Sequence, residues 1–299
     1  IHAAGIPSQQ FCTEHPEKAH AVNVDGALYM AEACKRTGAK MVFTSTEQLF
    51  NGSPEPGPYT EESKPYPDTI YGQNKLEVEE KLPEIFSDYW VVRFTWIFGL
   101  PEKDCAEGTN ILWDTMKSLM KNQPIKTSEY EFRGMTDVDE ICVNLEKLFS
   151  LPYGTYHFGS TNNDGRYEIV RYIMEKLGIG EGRIKEMLIA DNSKYYEGHI
   201  RELRLDNTKA KEAGIEFLPT KEGIDRFLEE YKSKAEKNPG AKRFLNYDLF
   251  TTFKTDKEGT LKFLRDFFTI DLYNYKKATI SNNTLLTLFN IFDSRIYLD

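Results

Sequence analysis

The sequence contains little cysteine: four residues out of 299, namely Cys12, Cys34, Cys105 and Cys142. No two of them form a Cys-x-x-Cys pair, and none lies with histidine at the spacing of a zinc site. The sequence therefore offers neither a disulfide framework nor a metal-binding motif, and we expect no bound metal. Widely spaced cysteines favour a reduced, cytoplasmic compartment.

Long apolar runs and an excess of positive charge are also missing. No uninterrupted apolar run approaches the roughly 20 residues that cross a bilayer, so a membrane partner is not expected. Lys and Arg number 38 against 47 Asp and Glu, a net charge of -9 without a local basic patch, which argues against nucleic acid binding. Hydrophobic residues at 40% and aromatic residues at 13% exclude intrinsic disorder for most of the chain.

The first half of the sequence alternates between helix-like and strand-like segments. In chain order these are a helix at 16–37, a β-type run at 40–45, a helix at about 70–86, a strand at 90–94 and a helix at 111–121. Pro16 suits a first helical turn and Gly38 suits a C-terminal cap. Residues 1–5 predict the end of a buried strand that runs into a turn. This alternation predicts the α/β class, with a parallel sheet covered by helices.

Beyond residue 123 the alternation is less regular and predicts segments that complete a substrate pocket. These are helices near 138–149, 167–177 and 222–234 and a strand at 155–158. We expect one domain over 1–232, with substrate-binding segments interleaved mainly at 100–135 and 155–220. A Lys/Glu-rich stretch ending in Asn-Pro-Gly predicts a linker over 233–243, and the segment 244–299 receives no function.

Three residues in the first half have a joint chemical meaning. Thr46 follows a predicted strand, and Tyr71 and Lys75 stand at positions i and i+4 of a predicted helix, which places the phenol and the ammonium on one helical face. A tyrosine pKa of about 10 is lowered by a neighbouring cation, because the cation favours the phenolate. If Thr46 holds a carbonyl oxygen, Tyr71 can protonate it, which is what reduction by hydride transfer requires.

The Tyr-x-x-x-Lys spacing alone is weak support, because 17 tyrosines give about one or two matches by chance. Tyr172/Lys176 and Tyr273/Lys277 match it as well. We interpret each of these as a surface Tyr/Lys pair. The context of Tyr71 separates it from them.

That context resembles the extended short-chain dehydrogenase/reductase superfamily. Its members carry a strand ending in Ala-Ala-Gly, a helix with an Asn-Val-x-Gly step, a Ser/Thr strand end and then Tyr-x-x-x-Lys, and the chain has all four in this order. Within the superfamily it is most similar to the dTDP-4-dehydrorhamnose reductase group, which includes a regulatory subunit of methionine adenosyltransferase. The matching stretches are 45–52, 58–61, 71–76, 93–99, 154–158 and 203–206, and the similarity covers about residues 1–231.

The resemblance implies a Rossmann-like doubly wound parallel sheet with a small α/β substrate-binding part, and NAD or NADP as the cofactor. Thr46 would bind the substrate carbonyl, Tyr71 would be the general acid, and Lys75 would lower the pKa of Tyr71 and bind the nicotinamide ribose. The residues that it places against the cofactor are Ala3, Ala4, Gly5, Ser45, Tyr71 and Lys75. The residues that it places on the substrate side are Glu47, Gln48, Arg93 and Trp96. Asn23 stays open between a helix side chain bonded to backbone and a role near the site.

The chain departs from the pattern in two ways. The reductase group shows Asp-Tyr after the Ser-Thr pair where this chain has Glu47-Gln48, so the contacts to the sugar ring are altered. In addition, no glycine-rich turn of the kind that cradles a pyrophosphate opens the sequence. The family pattern places that turn within roughly 60 residues upstream of Ile1. We expect an N-terminally truncated sequence, since the three catalytic residues are kept; the alternative is a loss of dinucleotide binding.

The leading functional hypothesis is an NAD(P)-dependent oxidoreductase that acts on a nucleotide-linked keto sugar. Two alternatives stay open: a non-catalytic, dinucleotide-binding regulatory subunit, and an inactive fragment that lacks the cofactor phosphate site. The expected partner is the nucleotide-sugar substrate, and a homodimer is left open.

Overall fold

The computed structural model describes residues 1–99, 110–193 and 199–237. The chain forms two compact units. Among the described residues, the first consists of 1–97, 130–164 and 199–220, and the second of 98–99, 110–129, 165–193 and 221–237. Within the described residues, no helix combines the length and the apolar character needed to span a bilayer.

Helices and strands alternate along most of the described chain. The α-helices are α1 (Gln9–Glu14), α2 (Pro16–His20), α3 (Gly26–Thr37), α4 (Ile70–Ile85), α5 (Ile111–Met120), α6 (Val138–Leu148), α7 (Arg166–Lys176), α8 (Glu181–Met187), α9 (Thr208–Glu212) and α10 (Thr220–Lys237). A π-helical turn at Ala21–Asp25 joins α2 to α3, and a 3-10 helix occupies Glu47–Phe50. The strands are β1 (Met41–Thr46), β2 (Tyr89–Phe94), β3 (Trp96–Phe98), β4 (Ile125–Thr127), β5 (Glu131–Phe132), β6 (Met135–Asp137), β7 (Gly154–Phe158), β8 (Leu188–Ala190) and β9 (Arg201–Glu202).

The central sheet of the first unit has the strand order β1-β2-β7, and all three strands are parallel. Thr46 pairs with Phe94, and Phe94 pairs with Phe158, so the carboxyl ends of the three strands lie at one edge. His2 forms a parallel bridge with Phe43 on the other side of β1, which agrees with the predicted strand end at residues 1–5. Ligands of open α/β sheets bind at the carboxyl edge, so this edge is where a site is expected.

Alternate residues of each strand point to opposite faces of the sheet, and both faces are covered. Toward α3 and α4 the buried cluster consists of Val24, Ala27, Ala31, Met41, Phe43, Val78, Leu82 and Val91. On the other face, with α6 and α9, it consists of Val42, Trp90, Val92, Leu148, Tyr156, Phe158, Ala210 and Ile215. A parallel sheet with helices on both faces confirms the predicted doubly wound α/β class.

The second unit contains its own small parallel pair, in which Ile125 of β4 lies opposite Leu188 of β8. Helix α7 supplies buried residues to this unit, among them Ile169 and Ile173. The helix predicted near 167–177 is therefore present, and one side of it is buried.

The predicted elements differ from the structure in a few places. The helix predicted over 16–37 contains the π-helical turn, and α1 precedes it; Gly38 caps α3 with φ of 70°, as predicted. Of the segments predicted to bind substrate, the parts at 130–135, 155–164 and 199–220 belong to the unit that holds the sheet. Helix α10 runs through Lys237 and so enters the predicted linker at 233–243. The rest of that linker and the segment 244–299 lie outside the described residues.

Leu82 provides a test of the core between β1 and α4. Leu82→Ala removes a fully buried side chain, and we expect it to lower the free energy of unfolding by about 2–5 kcal/mol, since the cavity is only partly refilled. Glu80→Ala, at an exposed position of the same helix, should change it by less than about 0.5 kcal/mol. Urea denaturation measures both, and equal shifts for the two variants would contradict this packing.

Candidate active site

Thr46 stands at the junction between β1 and the 3-10 helix. Its Oγ1 accepts a hydrogen bond from Gln48 N at 3.2 Å, so the side chain caps the 3-10 helix. A hydroxyl has one proton to donate besides its lone pairs. The capping bond uses a lone pair, and the proton of Thr46 therefore stays available for an acceptor such as a carbonyl oxygen.

Helix α4 brings Tyr71 and Lys75 to the same end of the sheet. Lys75 Nζ donates to Thr44 O at 2.7 Å and lies 5.8 Å from the centre of the Tyr71 ring. Gly72 lies in close contact with the 3-10 helix, because a Cβ at this position would approach Gln48 O to 2.8 Å. The structure thus brings the predicted pair together beside the segment that follows Thr46.

Burial shifts the pKa values of both residues of the pair. It lowers the pKa of Lys75 to about 8, while the nearby Glu79 carboxylate opposes the shift. It raises the pKa of Tyr71 to about 12, and Cys12 adds to the rise. The sequence predicted a lowered pKa for Tyr71 through Lys75, and this prediction is wrong: burial raises the pKa instead, since a buried phenolate is poorly solvated. The phenol is therefore protonated, as a proton donor must be.

The segment after His2 lies next to this pair. Asn23, in the π-helical turn, accepts a hydrogen bond from Ile6 N at 2.7 Å and donates to Ile6 O at 3.1 Å. A Cβ on Gly5 would meet Asn23 Oδ1 at 3.2 Å and Lys75 Nζ at 3.9 Å. Asn23 is thus bonded to backbone at a turn near Lys75, and a role of this residue in the site stays a prediction.

Several groups of the first unit fit a bound cofactor. Lys75 has one hydrogen-bond acceptor among the described residues, Thr44 O, whereas an ammonium has three N–H donors. Ser45 is buried, and its hydroxyl has no hydrogen-bond partner in the described part of the chain. Ala3, Ala4 and Gly5 are exposed. The donors of Lys75 and Ser45 and the exposed turn at residues 3–5 suit a polar ligand that contacts this turn.

The residues after Thr46 include a buried carboxylate. Glu47 is 1% exposed and forms an ion pair through Oε1 with Arg133, whereas its Oε2 has no hydrogen-bond partner among the described residues. The guanidinium of Arg133 also lies over the Trp96 ring, at 4.9 Å from the ring centre. Gln48 accepts a hydrogen bond from Gln9 through its side-chain oxygen. The structure therefore links Glu47 and Trp96 through a residue that sequence reasoning missed, since no local pattern points from Arg133 to Glu47.

Arg93 is placed differently from the other predicted substrate contacts. It is buried, and its guanidinium donates to Glu79 of α4 at 3.1 Å and 2.6 Å. It also lies 3.3 Å from Nε2 of His157, whose pKa burial and Arg93 lower to about 3. The geometry thus gives Arg93 protein partners, and its contact with a substrate stays a prediction.

The competing Tyr-x-x-x-Lys match at Tyr172 has different surroundings from Tyr71. Tyr172 donates to Asp225 at 2.8 Å, and Lys176 pairs with the same carboxylate at 2.9 Å. The lysine of this pair is partly exposed, and both residues belong to the second unit, in agreement with the surface pair interpreted from the sequence. Tyr273 and Lys277 lie outside the described residues.

The chain is similar to several known proteins. The chain is 27% identical over 238 residues to the spore coat polysaccharide biosynthesis protein SpsK of Bacillus subtilis, which covers 79% of this chain and 80% of that protein. It is 25% identical over 233 residues to methionine adenosyltransferase 2 subunit beta of Bos taurus, covering 76% of this chain and 69% of that protein. A crystal structure of dTDP-4-dehydrorhamnose reductase from Bacillus anthracis in complex with NADP superposes with a TM-score of 0.63 at 24% identity, covering 77% of this chain and 79% of that one.

The family model described as the RmlD substrate binding domain matches residues 1–233, which is most of the chain. This match confirms the resemblance to the extended short-chain dehydrogenase/reductases and to the dehydrorhamnose reductase group. The chain belongs to the RmlD substrate binding domain family.

Proposed function

We propose that the protein is an NAD(P)-dependent reductase of a keto group on a nucleotide-linked sugar, similar to dTDP-4-dehydrorhamnose reductase. The observation that carries this proposal is that Lys75, which lies 5.8 Å from the centre of the Tyr71 ring, is bound to Thr44 O of β1, two residues before the capped hydroxyl of Thr46. A protonated phenol, an ammonium and a hydroxyl donor are the groups that a carbonyl needs as it becomes an alcohol. The similarity to a reductase crystallised with NADP supports it.

Thr46 and Tyr71 share the work at the substrate oxygen. Thr46 uses a lone pair in its cap to Gln48 N, and its proton holds the carbonyl oxygen. Tyr71 transfers its proton to the same oxygen as negative charge develops there. A pKa of about 12 makes Tyr71 reluctant to ionise alone, and the ammonium of Lys75 favours the phenolate once the proton leaves.

Lys75, Ser45 and residues 3–5 would hold the cofactor. The two N–H groups of Lys75 that do not bond to Thr44 O can donate to ribose hydroxyls. The Ser45 hydroxyl, which has no hydrogen-bond partner among the described residues, can bond to the cofactor as well. Gly5 leaves room at the turn, because a side chain there would approach Asn23 and Lys75. When bound, a nicotinamide supplies the hydride that the carbonyl carbon receives.

Glu47, Gln48 and Trp96 would form the sugar side of the site. Glu47 Oε2, which has no partner in the described part of the chain, is an acceptor for a sugar hydroxyl, and the partly buried Trp96 ring offers an apolar surface to the sugar. Because Glu47-Gln48 replaces the Asp-Tyr of the reductase group, we expect a sugar preference different from that group.

A second candidate is a non-catalytic, dinucleotide-binding regulatory subunit. The likeness to methionine adenosyltransferase 2 subunit beta favours it, as does the altered pair Glu47-Gln48. Incubation of the purified full-length protein with NADPH and a panel of nucleotide-linked 4-keto sugars separates the candidates. Oxidation of NADPH supports the reductase, and binding without oxidation supports the regulatory subunit.

Tyr71→Phe tests the proposed acid. The variant keeps the ring and removes the proton, so we expect turnover to fall by about 10²-fold or more while the dissociation constant for NADPH changes little. Tyr172→Phe is the matched control, since Tyr172 has the same spacing to a lysine but bonds to Asp225. Turnover by Tyr71→Phe at the wild-type rate would remove Tyr71 from the mechanism.

The pKa of Lys75 predicts the pH dependence of the reaction. Below its pKa of about 8 the ammonium is charged and can stabilise the Tyr71 phenolate, and above that pKa it is neutral. We therefore expect kcat to fall as pH rises through about 8, whereas Tyr71, with a pKa of about 12, stays protonated over the same range. Measurement of kcat over a range of pH tests this expected fall.

Lys75→Arg is the control for that profile, because a guanidinium stays charged over the whole pH range of the assay. Any activity that this variant keeps should lack the fall that the wild type shows above the pKa of Lys75. A wild-type profile that stays flat well beyond that pKa would show that the charge of Lys75 is not needed.

A further inference from the structure

Four charged residues of the first unit form a buried cluster: Glu47, Glu131, Arg133 and Arg201. Arg133 pairs with Glu47, and its Nη1 donates to Glu131 Oε1 at 3.1 Å. The other oxygen of Glu131 lies 3.5 Å from Arg201 Nη1. Both carboxylates are almost completely inaccessible, at 1% for Glu47 and 0% for Glu131. The two positive and two negative charges balance.

The cluster holds the 3-10 helix of residues 47–50 at both ends. At its start, Glu47 is held by Arg133. At its end, the C-cap residue Asn51 accepts a hydrogen bond from Arg201 Nε at 2.6 Å. Glu131 pairs with both guanidinium groups and so connects the contact at Glu47 with the contact at Asn51. We call this set of contacts among Arg133, Glu131, Arg201 and the 3-10 helix the clamp.

The clamp acts on Thr46 because the Thr46 side chain caps the same 3-10 helix. Thr46 Oγ1 accepts from Gln48 N, so the direction of the hydroxyl depends on where the first turn of the 3-10 helix lies. Arg133 fixes that turn through the side chain of Glu47. Its own backbone is fixed in turn, because Asn162 Nδ2 donates to Arg133 O at 2.8 Å.

The cost of such a cluster favours a role beyond stability. Burying charges removes their hydration, and apolar side chains of similar size often stabilise a protein as well or better. A fork-shaped guanidinium, however, fixes direction as well as distance. Glu47 of this cluster directly follows Thr46, whose hydroxyl must point at the substrate oxygen in the proposed reaction.

We infer that Arg133, together with Glu131, is a positioning residue that sets the orientation of the Thr46 hydroxyl through Glu47. The inference rests on the proposed function for its effect on turnover, and on the structure alone for its effect on the 3-10 helix. Arg133 touches neither Tyr71 nor Lys75 in any described contact, so its effect should be confined to Thr46 and the sugar side.

Arg133→Lys tests the inference, because it keeps the charge that the buried carboxylates need and loses the fork. In the full chain we expect kcat to fall roughly tenfold to a hundredfold, while the dissociation constant for NADPH stays within about twofold, because no described contact of Arg133 reaches Lys75, Ser45 or residues 3–5. Hydrogen exchange at the Gln48 amide, measured by NMR, should accelerate by at least about tenfold as the cap loosens. Arg204→Lys is the matched control: Arg204 forks onto Glu202 at 2.8 Å and 2.6 Å in the same unit, and none of its described hydrogen bonds reaches residues 46–51.

The outcomes separate this inference from the proposed function. Unchanged exchange at Gln48 in Arg133→Lys overturns the clamp, whatever the activity. Faster exchange with wild-type kcat overturns the positioning role. If the wild-type chain itself oxidises no NADPH, the proposed function and the effect of Arg133 on turnover both fail, and the exchange data alone decide whether Arg133 holds the 3-10 helix. If Arg204→Lys lowers kcat as much as Arg133→Lys does, the losses come from general destabilisation and the inference is overturned.

Discussion

The hydrogen bond from Lys75 Nζ to Thr44 O, at 2.7 Å, is the contact on which the candidate site depends. It joins α4 to β1 two residues before the strand ends at Thr46. Tyr71 lies one helical turn before Lys75, so a bond that fixes Lys75 also fixes Tyr71 relative to the strand end. Gly72 permits the close approach, because any side chain there would collide with the 3-10 helix. The geometry is thus set by a helix packed on a strand, which holds side chains more precisely than a loop does.

The same packing determines the charge states of the pair. Burial favours the neutral form of each group, and it therefore lowers the pKa of Lys75 and raises that of Tyr71. The sequence suggested the opposite for Tyr71, because spacing reveals the neighbouring ammonium and does not reveal how little water reaches the phenol. The result suits the proposed role of Tyr71 as proton donor: the phenol would stay protonated until charge develops on the substrate, and the ammonium of Lys75 would then favour the phenolate.

Much of the sheet and of the Tyr71–Lys75 pair could be predicted from the sequence, because both rest on local periodicity and spacing. The Gly38 cap and the parallel β1-β2-β7 sheet follow from such patterns. The grip of Asn23 on Ile6 could not be predicted, since it needs the π-helical turn that redirects one side chain. The pairing of Glu47 with Arg133 joins residues 86 positions apart, and two isolated charges carry no signal that they will meet.

Two buried arginines, Arg93 and Arg133, hold the two elements that carry the candidate site, which are α4 and the 3-10 helix. Arg93 of β2 forks onto Glu79, which lies one turn after Lys75 on α4, so the helix is held to the sheet at two successive turns. The bond from Lys75 alone would let the helix rotate about that point. The second contact, at Glu79 one turn later, prevents this rotation. Arg133 does the equivalent for the 3-10 helix through Glu47. In the proposed reaction, Arg93 would support the proton donor Tyr71 and Arg133 would support the hydroxyl of Thr46, because each holds the element that carries that residue.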